Sequence, residues 1–269
     1  MAYNEIIVWR QLRHPNILPF YGVFKESDRI NLVSPLMRNG CLTSYLKENP
    51  QANRFRLMLD IVRGLEYLHT MKPTIVHGDM KGENILITAS GRACLADFGL
   101  AASKDSQNAL QTMRERHSGT LNYMAPELLL FDQACLNPDY RCSDMYAFAC
   151  VCFEMFAKRP PFKGYSMVQI MDAVRNRKRE GKPADEPPAS LDESLWQFIQ
   201  TCWSQEPEDR LTASDARQYI ELVIKGDFLN LESGTSMQAM DVCEDEEWDE
   251  VFMQGAVSAF NPLKLAFPA

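Results

Sequence analysis

Between residues 55 and 71 the apolar positions Leu57, Ile61, Leu65 and Leu68 recur at steps of three and four, which places them on one stripe of a helix. Further helices are predicted over 5–12, 42–47, 167–177, 195–204 and 212–224 from the same spacing. Residues 145–157 are apolar nearly all round, so they predict a helix sunk in a protein core. That run is too short for the ~20 residues of a membrane span. Arg13-His14-Pro15-Asn16 ends the first helix, because the residue before a proline avoids the helical region. Strands are predicted over 17–24 and 30–34, joined by a polar turn over 25–28. A second pair, 84–88 and 93–96, closes across Ser90-Gly91.

These elements predict an α+β chain in unequal parts. Residues 1–37 hold one helix and about two strands, and residues 38–225 are mostly helical, with the change at the linker 35–40. Residues 226–269 lose periodicity and carry the acidic run 243–250, so they read as a disordered acidic tail. Of the 269 residues 46% are hydrophobic, enough for a substantial core. The net charge of −8 argues against nucleic acid as a partner. Eight cysteines without a Cys-x-x-Cys pair predict thiols in a reducing compartment, hence a cytoplasmic protein. Ile6-Ile7-Val8 is too short an apolar run for a secretory leader, and no membrane partner is expected.

Chemistry concentrates in His77-Gly78-Asp79-Met80-Lys81-Gly82-Glu83-Asn84, a polar loop followed at once by the apolar Ile85-Leu86-Ile87. One Asp, one Lys and one Asn at fixed offsets on such a loop suit three groups held over a phosphate. Thirteen residues beyond Asn84, Asp97-Phe98-Gly99 adds a second carboxylate beside a glycine, and Ala125-Pro126-Glu127 follows. An isolated Asp-x-Lys is an ordinary surface pair. The ordered set is far more specific.

With these motifs, residues 5–224 resemble a eukaryotic protein kinase domain of the tyrosine-kinase-like group. The resemblance implies a two-lobe kinase fold with a mostly helical C-lobe. It implies Asp79 as the residue that takes the proton of the substrate hydroxyl, Lys81 beside the transferring phosphate, and Thr120 bridging the two. Asn84 and Asp97 become ligands of Mg²⁺. Adenine of ATP would lie on the backbone of Pro35 and Met37, with Ser34 as a small residue behind the purine and Leu86 as its floor. Trp9, Phe20, His77 and Phe98 would stack as a spine, Asp144 would hold the catalytic loop from below, and Glu127 would pair with Arg210. Lys81 with Glu83-Asn84, and Gly119-Thr120, resemble serine/threonine enzymes, so the implied substrate is a protein serine or threonine. The oligomeric state is left open.

The chain departs from the family at two places. Gly78 stands where the family has an arginine that pairs with a phosphorylated activation loop. Glu5 aligns with the glutamate that holds the ATP-binding lysine, yet no Gly-x-Gly-x-x-Gly and no Val-Ala-x-Lys occurs. The expectation is an N-lobe without its first three strands. Three readings stay open: a serine/threonine kinase read from an N-terminally truncated sequence, a non-catalytic pseudokinase scaffold, and a nucleotide-independent binding module that uses the acidic tail.

Overall fold

The computed structural model describes residues 2–26, 29–103, 121–129, 139–176 and 191–232. The first helix, α1, spans Ala2–Trp9 and so starts and stops earlier than the 5–12 stripe. After Trp9 the chain tightens into shorter-range bonds, Gln11 N–H to Val8 O and Leu12 N–H to Trp9 O, each 3.1 Å, which still bury Leu12 ahead of Pro15. The strand expected over 17–24 is split. Ile17 and Leu18 lie along strand β5 (Ala93–Leu95), with Leu18 N–H to Leu95 O at 2.8 Å and Leu95 N–H to Asn16 O at 2.9 Å. Pro19 has no N–H to continue that ladder. The chain then crosses to another partner, and β1 (Gly22–Glu26) pairs antiparallel with β2 (Arg29–Val33) from Gly22↔Val33 to Glu26↔Arg29.

The larger part is built on two buried helices. Helix α2 (Leu42–Glu48) is followed by α3 (Arg54–Thr70), whose first turn is capped by the Asn53 side chain accepting the Arg56 N–H. The α3 stripe is buried as its spacing requires, Leu57, Ile61, Leu65 and Leu68 being 0–2% exposed. Each such side chain contributes about 1.5–3 kcal/mol by leaving water. Short strands β3 (Ile75–Val76) and β4 (Ile85–Ile87) precede β5, and β6 (Ala102–Ser103) follows it. β3 pairs with β6, and β4 with β5 in the register Ile85↔Leu95 to Ile87↔Ala93.

After the short α4 (Pro126–Leu129), α5 spans Tyr140–Ala157 and is buried from both faces. It starts ahead of the apolar run because Asp139 caps it, accepting the Arg141 N–H. α6 (Met167–Arg175) opens on a reciprocal Ser166–Gln169 capping box, and α7 (Glu193–Cys202) on Asp192. Trp196 and Trp203 pack on Phe153 of α5 at ring distances of 6.5 and 5.6 Å. α8 (Ala213–Glu232) lies on α3, tied to it by Arg63–Glu221 and Arg217–Glu66 ion pairs. It runs past the boundary expected at 225, so the segment read as a tail begins in helix. The acidic run 243–250 lies outside the described residues.

All described cysteines are free thiols. Cys94, Cys150, Cys152 and Cys202 are buried, whereas Cys41 and Cys142 are only half-buried. No helix among the described residues is long and apolar enough to cross a membrane.

Candidate functional site

The polar loop between β3 and β4 is held from beneath by one carboxylate. Asp144 on α5, 2% exposed, accepts the His77 N–H on Oδ2 at 2.8 Å and the Gly78 N–H on Oδ1 at 2.9 Å. Gly78 sits at φ +78°, a conformation that a Cβ would strain. The next amide, of Asp79, donates to His77 Nδ1 at 3.3 Å. His77 Nε2 in turn donates to Ala96 O at 3.0 Å, so the ring bridges the loop to the residue before Asp97 as a neutral tautomer.

Asp79 is buried, and its two oxygens differ. Oδ2 accepts from Lys81 Nζ at 2.7 Å and from Asn84 Nδ2 at 2.9 Å. Oδ1 is buried with no hydrogen-bond partner among the described residues. A buried acceptor left open is costly, so it marks a place where a donor is meant to arrive. Asp79 lines a small pocket walled by Gly78, Met80, Tyr123, Met124, Leu128 and Ala147. Asn84 also donates from Nδ2 to Asp79 O at 2.8 Å, leaving its own carbonyl oxygen for another ligand.

Asn84 O accepts the Ala96 N–H at 2.9 Å, which sets Asn84 and Asp97 side by side at the open end of the β4–β5 hairpin. Asp97 has left-handed backbone angles, φ 62° and ψ 74°, and its Oδ1 accepts the Gly99 N–H at 3.4 Å. Glu5 reaches the same corner. A Cβ built on Gly99 would lie 3.2 Å from Asp97 Oδ1 and 3.6 Å from Glu5 Oε2. Burial raises the Glu5 carboxyl above its ordinary range, and the Asp97 charge raises it further.

Ser34, Pro35 and Met37 form the half-buried stretch between β2 and α2. The chain turns there through Gly40 N–H to Met37 O at 3.0 Å, and is then laid along β4 by Ile87 N–H to Gly40 O at 2.9 Å. Cys41 bridges to Leu86, which is half-buried in the middle of β4. The linker and its expected floor are therefore neighbours. Thr120 lies outside the described residues.

The aromatic rings stack in sequence, Trp9 on Phe20 at 5.1 Å, Trp9 on Phe98 at 5.9 Å and Phe98 on His77 at 5.3 Å. Arg210 grips Glu127 with two bonds of 2.7 and 2.8 Å. A family model of the protein kinase domain matches residues 1–220. The chain belongs to the protein kinase domain family. It is 34% identical over 225 residues to receptor-interacting serine/threonine-protein kinase 3 of Rattus norvegicus, covering 79% of this chain and 46% of that protein. Identity is 32% over 212 residues with the serine/threonine/tyrosine-protein kinase HT1 of Arabidopsis thaliana, covering 77% and 50%. It is 31% over 231 residues with the probable serine/threonine-protein kinase gdt2 of Dictyostelium discoideum, covering 82% and 13%. The chain thus spans half or less of these relatives' length.

Two buried polar residues of this kinase domain are absent from the motif reading. Glu154 on α5 accepts from Thr43 Oγ1 at 3.2 Å and from Tyr123 Oη at 2.8 Å. It also backs the polar loop at Gly82, where a Cβ would come within 2.9 Å of Glu154 Oε2 and 2.3 Å of Thr43 Oγ1. Its one signal was an acid inside the apolar run 145–157. His69, on the buried face of α3, has Nε2 2.9 Å from Asp144 Oδ2. Its place four residues after Leu65 on the apolar stripe was the available hint.

Proposed function

We propose that this site transfers the γ-phosphate of ATP to serine or threonine hydroxyls of protein substrates. The observation that carries the reading is the asymmetry of Asp79, with Oδ2 fixed by Lys81 and Asn84 and Oδ1 buried without a donor. A substrate hydroxyl donating to Oδ1 would be aimed by a carboxylate that cannot turn away. As the hydroxyl oxygen bonds to phosphorus its proton passes to Asp79, the bond from phosphorus to the bridging oxygen breaks, and ADP leaves. Lys81, already within an ion pair of Asp79, sets an ammonium beside the developing charge.

No group of three or more His, Cys, Asp or Glu among the described residues could hold a metal unaided. Mg²⁺ is held through one or two protein oxygens plus phosphates and water. Asn84 and Asp97 would hold it, and the ion would offset phosphate charge. Adenine would take the Pro35 carbonyl and the Met37 backbone, between Ser34 and Leu86. A preference for serine or threonine follows the residues Lys81 and Glu83-Asn84 and the likeness to the receptor-interacting and gdt2 serine/threonine-protein kinases.

A second reading is a non-catalytic scaffold, and the 269 residues contain no Gly-x-Gly-x-x-Gly and no Val-Ala-x-Lys with which to tell the two apart. The two are separated by extending the chain ahead of Met1 with a glycine-rich hairpin and a lysine strand, then measuring phosphate transfer to serine and threonine peptides. Transfer that is lost on Asp79→Asn is the expected result. An extended chain that binds Mg²⁺-ATP and stays inert would leave the scaffold.

A further inference from the structure

We propose that Thr43 is a positioning residue for phosphoryl transfer, its hydroxyl filling a notch at Gly82 and so fixing the turn between Lys81 and Asn84. The proposal rests on the assignment of Asp79 given above. Thr43 is the second residue of α2 and is half-buried, and its Oγ1 donates to Glu154 Oε1 at 3.2 Å. Tyr123 Oη donates to the other oxygen of that carboxylate at 2.8 Å, so Glu154 is held from two sides.

This arrangement accounts for the glycine at 82. Gly82 is buried and opens a single helical turn, Gly82–Asn84, and its φ is not left-handed, unlike that of Gly78. The backbone would therefore accept a side chain there, and it is the neighbours that refuse one. A Cβ on Gly82 would lie 2.3 Å from Thr43 Oγ1 and 2.9 Å from Glu154 Oε2. A β-branched side chain on a helix has few rotamers, and Glu154 is tied by both of its donors, so neither oxygen withdraws cheaply. The space of a side chain is thus taken by a hydroxyl from α2, and the turn is seated between α2 and α5.

The seat matters because of what flanks it. Lys81 precedes the turn and Asn84 ends it, with the Asn84 N–H bonded across it to Lys81 O at 3.0 Å. Lys81 Nζ and Asn84 Nδ2 both donate to Asp79 Oδ2, at 2.7 and 2.9 Å. A shift at Gly82 therefore moves both donors together and swings the carboxylate that meets the substrate. Displacements of about 1 Å at such a group can cost ~10²-fold in rate. The bond to Glu154 fixes the hydroxyl, and its contact with Gly82 passes that placement to the polar loop.

The test is amide hydrogen exchange at Asn84 in the whole chain, comparing the parent with Thr43→Ser, Thr43→Ala, Gly82→Ala and the double variant Thr43→Ala/Gly82→Ala. Thr43→Ser keeps the hydroxyl and Thr43→Ala empties the notch. Gly82→Ala forces a methyl against an occupied notch, which the double variant has first vacated. We expect Asn84 exchange to rise about tenfold in Thr43→Ala and in Gly82→Ala, with the α3 and α7 amides unchanged, and to stay within about twofold of the parent in Thr43→Ser. The double variant should show a smaller rise than either single one, because the added methyl takes the vacated space. In the chain extended for transfer, kcat should fall about tenfold with KM for ATP unchanged in Thr43→Ala, and recover in Thr43→Ser. Additive effects of the two substitutions would overturn the proposal, as would unchanged exchange at Asn84 in Thr43→Ala, an equal loss in Thr43→Ser, or loosening spread through α3 and α7. An active extended parent whose kcat Thr43→Ala leaves unmoved would overturn it too. Exchange and its coupling are read even where no phosphate is transferred, so loss of the functional reading would show separately, as an inert parent.

Discussion

Arg210 turns all of its nitrogens on Glu127 and its surroundings. Two bonds reach the Glu127 carboxylate, and the others go to the carbonyls of Cys142, Ser204 and Gln205, while the Tyr146 ring lies 5.2 Å from the guanidinium carbon. Ser143 Oγ donates to the same carboxylate at 2.7 Å. Removing one partner would strand a buried charge. Arg210→Ala should therefore lower unfolding free energy by about 3–5 kcal/mol in denaturant titration. Arg210→Lys should recover only part of it, because an ammonium cannot form the paired bonds.

Gly64 on α3 allows the closest approach of that helix to the N-terminal part. A Cβ there would meet Asn16 O at 2.9 Å and Leu95 Cδ1 at 3.0 Å. The carbonyl is itself bonded to the Leu95 N–H and cannot swing aside cheaply. Gly64→Ala gains helix propensity yet should destabilise by about 1–3 kcal/mol through overpacking. Thermal unfolding checks the sign.

The Glu154 carboxyl is raised by burial, in spite of the Tyr123 and Thr43 hydrogen bonds that lower it. The folded chain therefore binds this proton more tightly than the unfolded chain. Its stabilising contribution is full below the unfolded value near 4.5 and is lost as pH rises through the higher folded value. The melting temperature of the parent relative to Glu154→Gln should thus move in favour of the parent as pH falls from about 7.5 to about 5. The opposite slope would show that the hydrogen bonds outweigh desolvation.

Nucleotide binding should depend on Mg²⁺ through Asn84 and Asp97. In calorimetry, Asp97→Asn should bind the nucleotide several-fold more weakly than the parent with the metal present and about equally in chelator. Equal affinities under both conditions would remove the role assigned to Asp97.

What the sequence exposed was local. The α3 stripe needed only its spacing, and the loop 77–84 with Asp97 only its order. The strand over 17–24 was misjudged because Pro19 divides a pairing with Leu95, far along the chain, from the local hairpin of 22–26 with 29–33. The early start of α5 was hidden because Arg141, Ser143 and Asp144 interrupt the apolar pattern, although Ser143 and Asp144 are buried by bonds to Glu127 and to the loop amides of His77 and Gly78. His69 and Glu154 were missed for a related reason. Their meaning lies in partners 75 residues away for His69, and 111 and 31 for Glu154.

Trp9 gives α1 the mechanics of a lever. Its indole N–H is pinned to Leu18 O at 2.6 Å, and its ring leans on Phe98, so the C-terminal end of the helix is a fulcrum seated on the segment that follows Asp97. Glu5 lies about one turn, or ~6 Å, along the axis from that fulcrum. A tilt of ~10° about Trp9 would carry Glu5 by about 1 Å, the scale on which phosphoryl-transfer geometry is won or lost. A displacement of the N-terminal end of α1 would thereby reach the Asp97 corner through Glu5.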